Sequence, residues 1–327
     1  MQYTTLGRTG LKVSRLCLGT MNFGRITSER ESFAIMDRAL EEGITFFDTA
    51  NVYGGPGQRG LTEEIVGRWF ALGEGRRESV VLATKVYNPV DEETDGPNDT
   101  QGLSAYKIRR SLARSLKRLR TDHIELYQMH HVDPSVSWDE LWGVFQPIVD
   151  SGVVDYIGSS NFGARHLCYA QAAAEKRHFL GLVSEQHKFS LACRYPELEL
   201  LPAAEDLGIG VMCWSPLSGG LLAGHTVNPT PGSRTAEMVG HLTEAQRAQV
   251  EAYATLCREI GAPEPVVALA WILSHKAVAA PIIGPRTMEH LMSALPALDL
   301  DLSQEAMMRL DEIFPGPGGP APEAYAW

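Results

Sequence analysis

Short apolar runs alternate with longer amphipathic stretches along nearly the whole chain, and this alternation restricts the fold more than any other feature of the sequence. Eight runs resemble buried strands: Leu16–Met21, Thr45–Thr49, Val80–Val86, Ile124–His130, Val154–Ser159, Gly181–Gln186, Gly210–Trp214 and Ala279–Ile283. The stretches between them have helical spacing; the first, Ser28–Glu42, has Ser28 as a candidate N-cap and Gly43 as a stop. Eight strand–helix units predict a parallel (β/α)8 TIM barrel.

A pair of Rossmann domains is the alternative reading of the same alternation. That fold would bind a dinucleotide through a GxGxxG turn after its first strand, and no such turn follows Leu16–Met21. The barrel is therefore the favoured prediction.

Two additions precede or interrupt the repeating units. Residues 2–14 come before the first unit, and the turn Gly7–Gly10 predicts an N-terminal β-hairpin that plugs the bottom of the barrel. Residues 243–260 predict an extra helix after strand 7, because that strand's own helix follows at 264–275.

Long loops are expected at the C-terminal face of the barrel, chiefly the Gly-, Pro-, Ser- and Thr-rich residues 218–241. No linker divides the chain, so we expect one domain, residues 1–327. The Pro- and Gly-rich end, residues 315–327, predicts a flexible tail.

Composition excludes several classes of function. The chain has 327 residues and a net charge of -11, so it is not expected to bind nucleic acid or anionic membranes. The basic cluster at 107–120 alternates with apolar residues at helical spacing, which is typical of a solvated helix face. Five cysteines without CxxC spacing indicate reduced thiols and no metal site. No signal peptide or membrane-spanning stretch is evident, and a cytoplasmic location is expected.

Polar residues stand where three neighbouring barrel strands end. Asp48 closes the second strand, Tyr53 follows it, Lys85 lies near the end of the third, and His130 ends the fourth. Each alone has an ordinary structural explanation, but catalytic residues of a barrel collect at these strand ends. Together they suit proton transfer coupled to hydride transfer. Lys85 is expected to lower the pKa of Tyr53, Asp48 to hold Lys85, and His130 to donate to a carbonyl oxygen.

The sequence resembles the aldo-keto reductase family over nearly its whole length, in the bacterial branch that is similar to potassium-channel β subunits. The matching segments are LGTMNFG (18–24), FFDTANVYG (46–54), LATKV (82–86), LYQMHHVD (126–133), YIGSSNF (156–162), SEQHKFSL (184–191), CWSPLSGGLL (213–222) and PIIGPRT (281–287). The resemblance assigns the catalytic tetrad to Asp48, Tyr53, Lys85 and His130, with Tyr53 as general acid. His130 is preferred over His131 because the family pattern is H-x-x-D, ending here at Asp133.

The same resemblance implies NADPH bound across the barrel mouth. It assigns the nicotinamide ribose to Gly19, Thr20 and Met21, the carboxamide to Ser160, Asn161 and Gln186, and the nicotinamide stacking platform to Trp214. The pyrophosphate loop is assigned to Ser215, Leu217, Ser218 and Gly219, and a closing arginine to Arg234. Gly284 and Arg286 lie in the segment that contacts the adenosine 2′-phosphate, and a guanidinium suits that phosphate. The chain departs from the family around adenine, with His290, Ser293 and Ala294.

The resemblance leaves the substrate open. An aldehyde or ketone is expected, and a natural-product ketoreductase is one alternative among sugars, simple aldehydes and ketosteroids. Asn22, Phe23, Tyr87, His131 and residues 218–240 are candidate pocket walls. A channel-type regulatory subunit and a barrel enzyme with a Schiff base on Lys85 are the alternatives from other classes. A homo-oligomer is compatible with the sequence, which does not determine the oligomeric state.

Overall fold

The computed structural model describes residues 1–90, 96–98, 100–224 and 240–326. A two-stranded antiparallel hairpin, β1 (Tyr3–Thr5) and β2 (Lys12–Ser14), precedes a closed barrel of parallel strands. The barrel strands are β3 (Cys17–Gly19), β4 (Phe46–Asp48), β5 (Val81–Val86), β6 (Ile124–Met129), β7 (Val154–Ser160), β8 (Leu182–Lys188), β9 (Gly210–Trp214) and β10 (Val278–Ile283). They pair in chain order, and β10 closes the barrel against β3. The predicted (β/α)8 barrel is therefore confirmed.

Helices cover the outside of the barrel. They are α1 (Glu29–Glu41), α2 (Leu61–Phe70), α3 (Ala105–Leu119), α4 (Trp138–Asp150), α5 (Ala164–Glu175), α6 (Leu200–Leu207), α7 (Glu244–Ile260), α8 (Glu264–Leu273), α9 (Met288–Ala294), α10 (Gln304–Ile313) and α11 (Glu323–Ala326). Short 3-10 turns lie at Gly96–Asn98, Tyr195–Glu197, Ser218–Gly220 and Leu295–Leu298. The extra helix after the seventh barrel strand is α7, as the sequence predicts.

Local capping explains where the helices begin. Ser28 and Glu31 form a reciprocal capping box at the start of α1, in which the Ser28 hydroxyl accepts the Glu31 amide. Thr243 and Gln246 form the same motif at the start of α7. The predicted cap of the first helix is confirmed, and Gly43, at φ 81°, follows its end.

The barrel interior is closed at its bottom by the turn of the hairpin. Leu6 and Val13 are fully buried against inward-facing barrel residues such as Phe46, Leu126 and Met212. Gly7 passes so close to the sheet that a Cβ there would lie 2.6 Å from the carbonyl oxygen of Val183. Only glycine fits at that approach, so the hairpin plugs the bottom as predicted.

Some predictions from the sequence fall partly outside the described residues. Arg234, most of the predicted loop 218–241 and Trp327 lie outside them. The described part of the predicted tail, 315–326, includes a backbone hydrogen bond from Ala321 to the carbonyl of Leu198. Among the described helices none is long and apolar enough to cross a membrane. The same part of the chain contains no group of His, Cys, Asp and Glu that could hold a metal ion.

Candidate active site

The barrel topology brings the predicted tetrad together. Asp48 is the last residue of β4, Lys85 lies one residue before the end of β5, and His130 directly follows β6. Because β4, β5 and β6 are consecutive neighbours in the barrel, their carboxyl ends meet at one part of the rim. Tyr53, in the turn after β4, reaches the same place.

The buried ammonium of Lys85 is the centre of the site. Its Nζ donates to Oδ2 of Asp48 at 2.5 Å, to the backbone carbonyl of Thr49 at 2.9 Å and to the hydroxyl of Tyr53 at 3.2 Å. The Lys85 side chain is fully inaccessible and that of Asp48 is 3% exposed. All three donor positions of the ammonium are thus used, which fixes its orientation.

The electrostatics of Lys85 and Tyr53 follow from this arrangement. Burial alone would lower the pKa of Lys85, but Asp48 and Tyr53 together raise it above its ordinary value. Burial raises the pKa of Tyr53, and Lys85 opposes that rise without cancelling it. The lowered pKa of Tyr53 predicted from the sequence is therefore wrong for this structure, because desolvation of the phenolate outweighs the ammonium.

His130 packs edge-on against Tyr53. The two ring centroids are 6.0 Å apart and the rings are inclined by 83°. Burial, with the charge of Lys85 adding to it, lowers the pKa of His130 to about 3. Its imidazole is therefore neutral at physiological pH, and its buried Nδ1 has no hydrogen-bond partner among the described residues.

The neighbouring histidine takes a different position. His131 is exposed and its ring lies 5.4 Å from that of Tyr87, which follows β5. His130 therefore faces Tyr53, while His131 and Tyr87 form an aromatic pair at the rim. The alternation of side chains at a strand end accounts for the difference.

A buried ion pair holds the segment that carries Tyr53. The Tyr53 carbonyl accepts the amide of Gly60, directly before α2. In the first turn of α2, Glu63 accepts from Thr84 of β5 at 2.6 Å and from Arg118 of α3 at 2.8 Å. The turn is thus anchored to the strand of Lys85.

The second carboxylate oxygen of Asp48 is occupied by side-chain amides. Oδ1 accepts from Nε2 of Gln186 at 2.8 Å and from Nε2 of Gln128 at 3.0 Å. Sequence reasoning placed Gln186 at the carboxamide and missed Gln128 altogether. A polar residue in the apolar strand 124–129, two positions before His130 and so on the same face, was the available signal.

The residues predicted around the nicotinamide form a connected group beside the tetrad. Asn161, at φ 62°, donates to the carbonyl of His130 at 3.1 Å and to the hydroxyl of Ser160 at 2.9 Å. The indole N–H of Trp214, the last residue of β9, donates to Oδ1 of Asn161 at 3.1 Å. Trp214 is therefore linked through Asn161 to the backbone of His130.

The residues predicted to contact the ribose and the pyrophosphate lie in two segments where the backbone packs closely or turns sharply. Thr20 donates its amide and hydroxyl to the carbonyl of Asp48, and Met21 beside it is 46% exposed. Gly19 approaches β10 so closely that a Cβ would lie 2.6 Å from a side-chain carbon of Ile282. After β9, positive φ values make a compact turn at Ser215, Ser218 and Gly219, with Leu217 within it.

The predicted phosphate segment follows β10. The carbonyl of Gly284 accepts from Asn22 and that of Arg286 accepts from Thr27, so the first loop of the barrel holds this segment. The Arg286 guanidinium makes no ion pair with any residue that the structure describes. His290 accepts the Arg286 amide and Ser293 donates to the His290 carbonyl, whereas Ala294 is buried.

Comparison with known proteins shows which family the chain belongs to. The family model for the aldo/keto reductase family matches residues 15–314, and the chain belongs to that family. An uncharacterized oxidoreductase of Bacillus subtilis, YrpG, is 60% identical over all of both chains. A putative aryl-alcohol dehydrogenase of Schizosaccharomyces pombe is 33% identical over 95% of each chain. The Tas protein of Escherichia coli is 30% identical over 98% of this chain and all of its own.

Proposed function

We propose that this protein is an NADPH-dependent oxidoreductase that reduces an aldehyde or ketone to an alcohol. The observation that carries the proposal is the contact of the Lys85 ammonium, which is fully inaccessible, with both Asp48 and the Tyr53 hydroxyl at the carboxyl ends of the barrel strands. Family membership supports the oxidoreductase class, since aldo/keto reductases generally use a nicotinamide cofactor.

The residues of the rim fit a nicotinamide dinucleotide. Trp214 offers an aromatic ring fixed by Asn161, and the turn at 215–219 offers backbone amides in a compact curve. Arg286 offers a guanidinium without an acidic partner among the described residues, which suits a phosphate dianion. Ser160, Asn161 and Gln186 would bind the carboxamide. NADPH, when bound, supplies a hydride to the carbonyl carbon.

The chain's own groups handle the proton. Tyr53 is protonated at neutral pH because burial raises its pKa, so its hydroxyl is available to donate to the carbonyl oxygen. Lys85 donates to the same phenolic oxygen and stabilises the charge that develops there. His130, neutral in this pocket, orients the carbonyl through a hydrogen bond rather than through charge.

Two aromatic side chains at the rim are candidate walls for the substrate. Tyr87 follows Lys85 by two residues and His131 directly follows His130, and their ring centroids are 5.4 Å apart. Such walls favour flat, apolar carbonyl compounds over sugars, which agrees with the aryl-alcohol dehydrogenase name of one relative. We therefore propose aromatic aldehydes as the preferred substrates, and ketones, including natural-product ketones, as the second choice.

The five cysteines are all unpaired, which agrees with a cytoplasmic enzyme.

Replacing Tyr53 by phenylalanine tests the proposal. Tyr53→Phe removes the proton donor, and we expect kcat to fall by about 10²–10⁴-fold with 4-nitrobenzaldehyde, while the Kd for NADPH stays within about twofold. NADPH oxidation, followed by the loss of its near-ultraviolet absorbance, and the quenching of tryptophan fluorescence measure the two quantities.

Tyr127→Phe is the matched control. It removes from β6 a buried hydroxyl that has no hydrogen-bond partner in the described part of the chain, and it should keep wild-type kcat. A Tyr53→Phe enzyme with near-wild-type kcat would remove Tyr53 from the role of acid. A wild-type protein that reduces no member of a broad carbonyl panel would overturn the proposed function.

A further inference from the structure

A buried amide stands beside the tetrad without a role in the mechanism above. Gln128 lies within β6, is fully inaccessible, and is paired in register with Lys85 of β5 and Gly158 of β7. Its Nε2 is 3.0 Å from Oδ1 of Asp48. Burying a primary amide is costly unless it is hydrogen-bonded, so the hydrogen bond to Asp48 is what retains this polar group in the barrel interior.

The neighbouring strand leaves space for this side chain. A Cβ at Gly158 would lie 3.1 Å from Cγ of Gln128 and 2.4 Å from the hydroxyl of Ser184. Any larger residue at 158 would press on the Gln128 stem. The position is therefore shaped by three strands to hold one extended glutamine against Asp48.

The two amides on Asp48 differ in what else they can reach. Gln186 lies two strands away on β8, beside Ser160 and Asn161, and is proposed to bind the carboxamide of the cofactor. The amide of Gln128 contacts Asp48 and, through its oxygen, Nε2 of Gln186 at 3.4 Å. A contact of Gln186 with the cofactor can weaken its hydrogen bond to Asp48, whereas the Nε2 of Gln128 stays committed to that carboxylate.

We propose that Gln128 is a positioning residue for the reduction. By donating to Oδ1, it orients the Asp48 carboxylate so that Oδ2 stays on Lys85 and Lys85 stays on Tyr53. This inference rests on the proposed function, since it names a residue that acts through Asp48 on the proton donor. Gln128 acts through Asp48 and contacts neither substrate nor cofactor in this proposal.

Two substitutions of similar size separate positioning from packing. Gln128→Met fills nearly the same volume but cannot donate, so Gln186 remains the one amide on Oδ1 among the described residues, and both Asp48 and Lys85 are held less well against Tyr53. We expect kcat to fall about 10–100-fold, the order that a small misplacement of reacting groups produces. The KM for 4-nitrobenzaldehyde and the Kd for NADPH should stay within about twofold of wild type.

Gln128→Glu should behave differently with pH. The titratable groups around position 128 are Asp48 and Lys85, with Tyr53, Cys17 and His130 close behind them. The carboxyl introduced by Gln128→Glu can donate to Oδ1 of Asp48 when it is protonated, whereas its ionised form sets a second negative charge against Asp48. Relative to wild type, kcat of Gln128→Glu should therefore recover as pH falls from about 8 to about 6. Gln128→Met has no titrating group and should not show this recovery.

The experiment measures kcat, KM and NADPH affinity of wild type, both variants and Tyr127→Phe between about pH 6 and about pH 8, the range in which a buried carboxyl with a raised pKa titrates. Thermal unfolding of each shows that it is folded, and a loss of packing alone would lower the midpoint without this pH pattern. The inference is supported if Gln128→Met loses kcat and Gln128→Glu recovers it at low pH. If Gln128→Met fails to fold, the pH profile of kcat for Gln128→Glu decides whether Gln128 is a positioning residue.

Two results would overturn the inference and are distinguishable from failure of the proposed function. An active wild type with unchanged kcat in Gln128→Met would show that Asp48 needs no donor at this position. A pH profile of kcat for Gln128→Glu that runs parallel to that of wild type would also show that Asp48 needs no donor at this position. Failure of the wild type itself to oxidise NADPH with any carbonyl would instead overturn the proposed function, and this inference with it.

Discussion

At the residue scale, ordinary side chains acquire their properties here from burial and from a single charged neighbour. Lys85 and Asp48 form an ion pair that is almost completely inaccessible. Such a pair contributes little net stability, because desolvation of both charges offsets their attraction. In the proposed function, its contact with the Tyr53 hydroxyl assigns the pair to proton transfer rather than to folding.

The choice of cofactor is also decided by one residue in our proposal. Arg286→Ala removes the guanidinium expected at the 2′-phosphate and should raise the KM for NADPH by roughly 10–100-fold, since a hydrogen bond to a charged group contributes about 1.5–3 kcal/mol. The KM for NADH should barely change. Steady-state kinetics with both cofactors measure the difference, and equal losses for the two would show that Arg286 does not recognise the phosphate.

At the scale of elements, helix packing positions the turn of Tyr53. Helix α2 crosses α3 at Gly67, where a Cβ would lie 2.1 Å from the carbonyl oxygen of Arg118. Arg118 in turn binds Glu63 at the start of α2. A glycine in the middle of a helix is unfavourable by itself, so the close crossing is the reason for it.

Gly67→Ala should force α2 and α3 apart and destabilise the protein by about 1–3 kcal/mol, the usual effect of overpacking. Gly143→Ala is the matched control: Gly143 lies within α4, and apart from its chain neighbours and the backbone of its own helix no described residue has an atom within 4 Å of the added Cβ. That variant should gain about 0.5–1 kcal/mol from helix propensity. Urea unfolding measures both, and equal effects of the two substitutions would contradict the packing argument.

At the scale of the whole molecule, the two ends of the barrel differ: apolar side chains fill the bottom, and polar side chains lie at the mouth. The hairpin turn packs Leu6 and Val13 into the bottom, while the polar groups collect at the carboxyl ends of the strands. One consequence is that ionisable groups at the mouth are buried by the folded chain. Global stability must then depend on pH through them.

The effect of His130 on the pH dependence of stability can be measured. Its pKa is about 3 in the folded protein and near ~6.5 in an unfolded chain. Between these pH values the unfolded chain binds more protons, so the free energy of unfolding should fall as pH is lowered from about 6.5 towards about 4. His130→Gln should flatten that dependence in urea unfolding, whereas Tyr127→Phe, which removes a phenol whose pKa burial raises well above its ordinary value, should leave the wild-type slope in this pH range. Parallel slopes for wild type and His130→Gln would contradict the assignment.

The sequence alone determined the order of the elements and the place of the tetrad. Strands and helix caps are specified locally, by periodicity over a few residues and by pairs such as Ser28 and Glu31. They could therefore be predicted without knowledge of the fold. The tetrad was readable because its members end consecutive strands, and a parallel barrel brings consecutive strand ends together.

Only the tertiary structure decided how the tetrad is held and which way its pKa values move. Gln128 and Gln186 meet Asp48 across 80 and 138 residues of chain, and no local pattern specifies which oxygen they share. The pKa of Tyr53 rises although a cation touches it, because desolvation depends on everything packed around the phenol. Contacts between distant segments and the exclusion of water are properties of the assembled barrel, and they set the chemistry of residues that the sequence could only name.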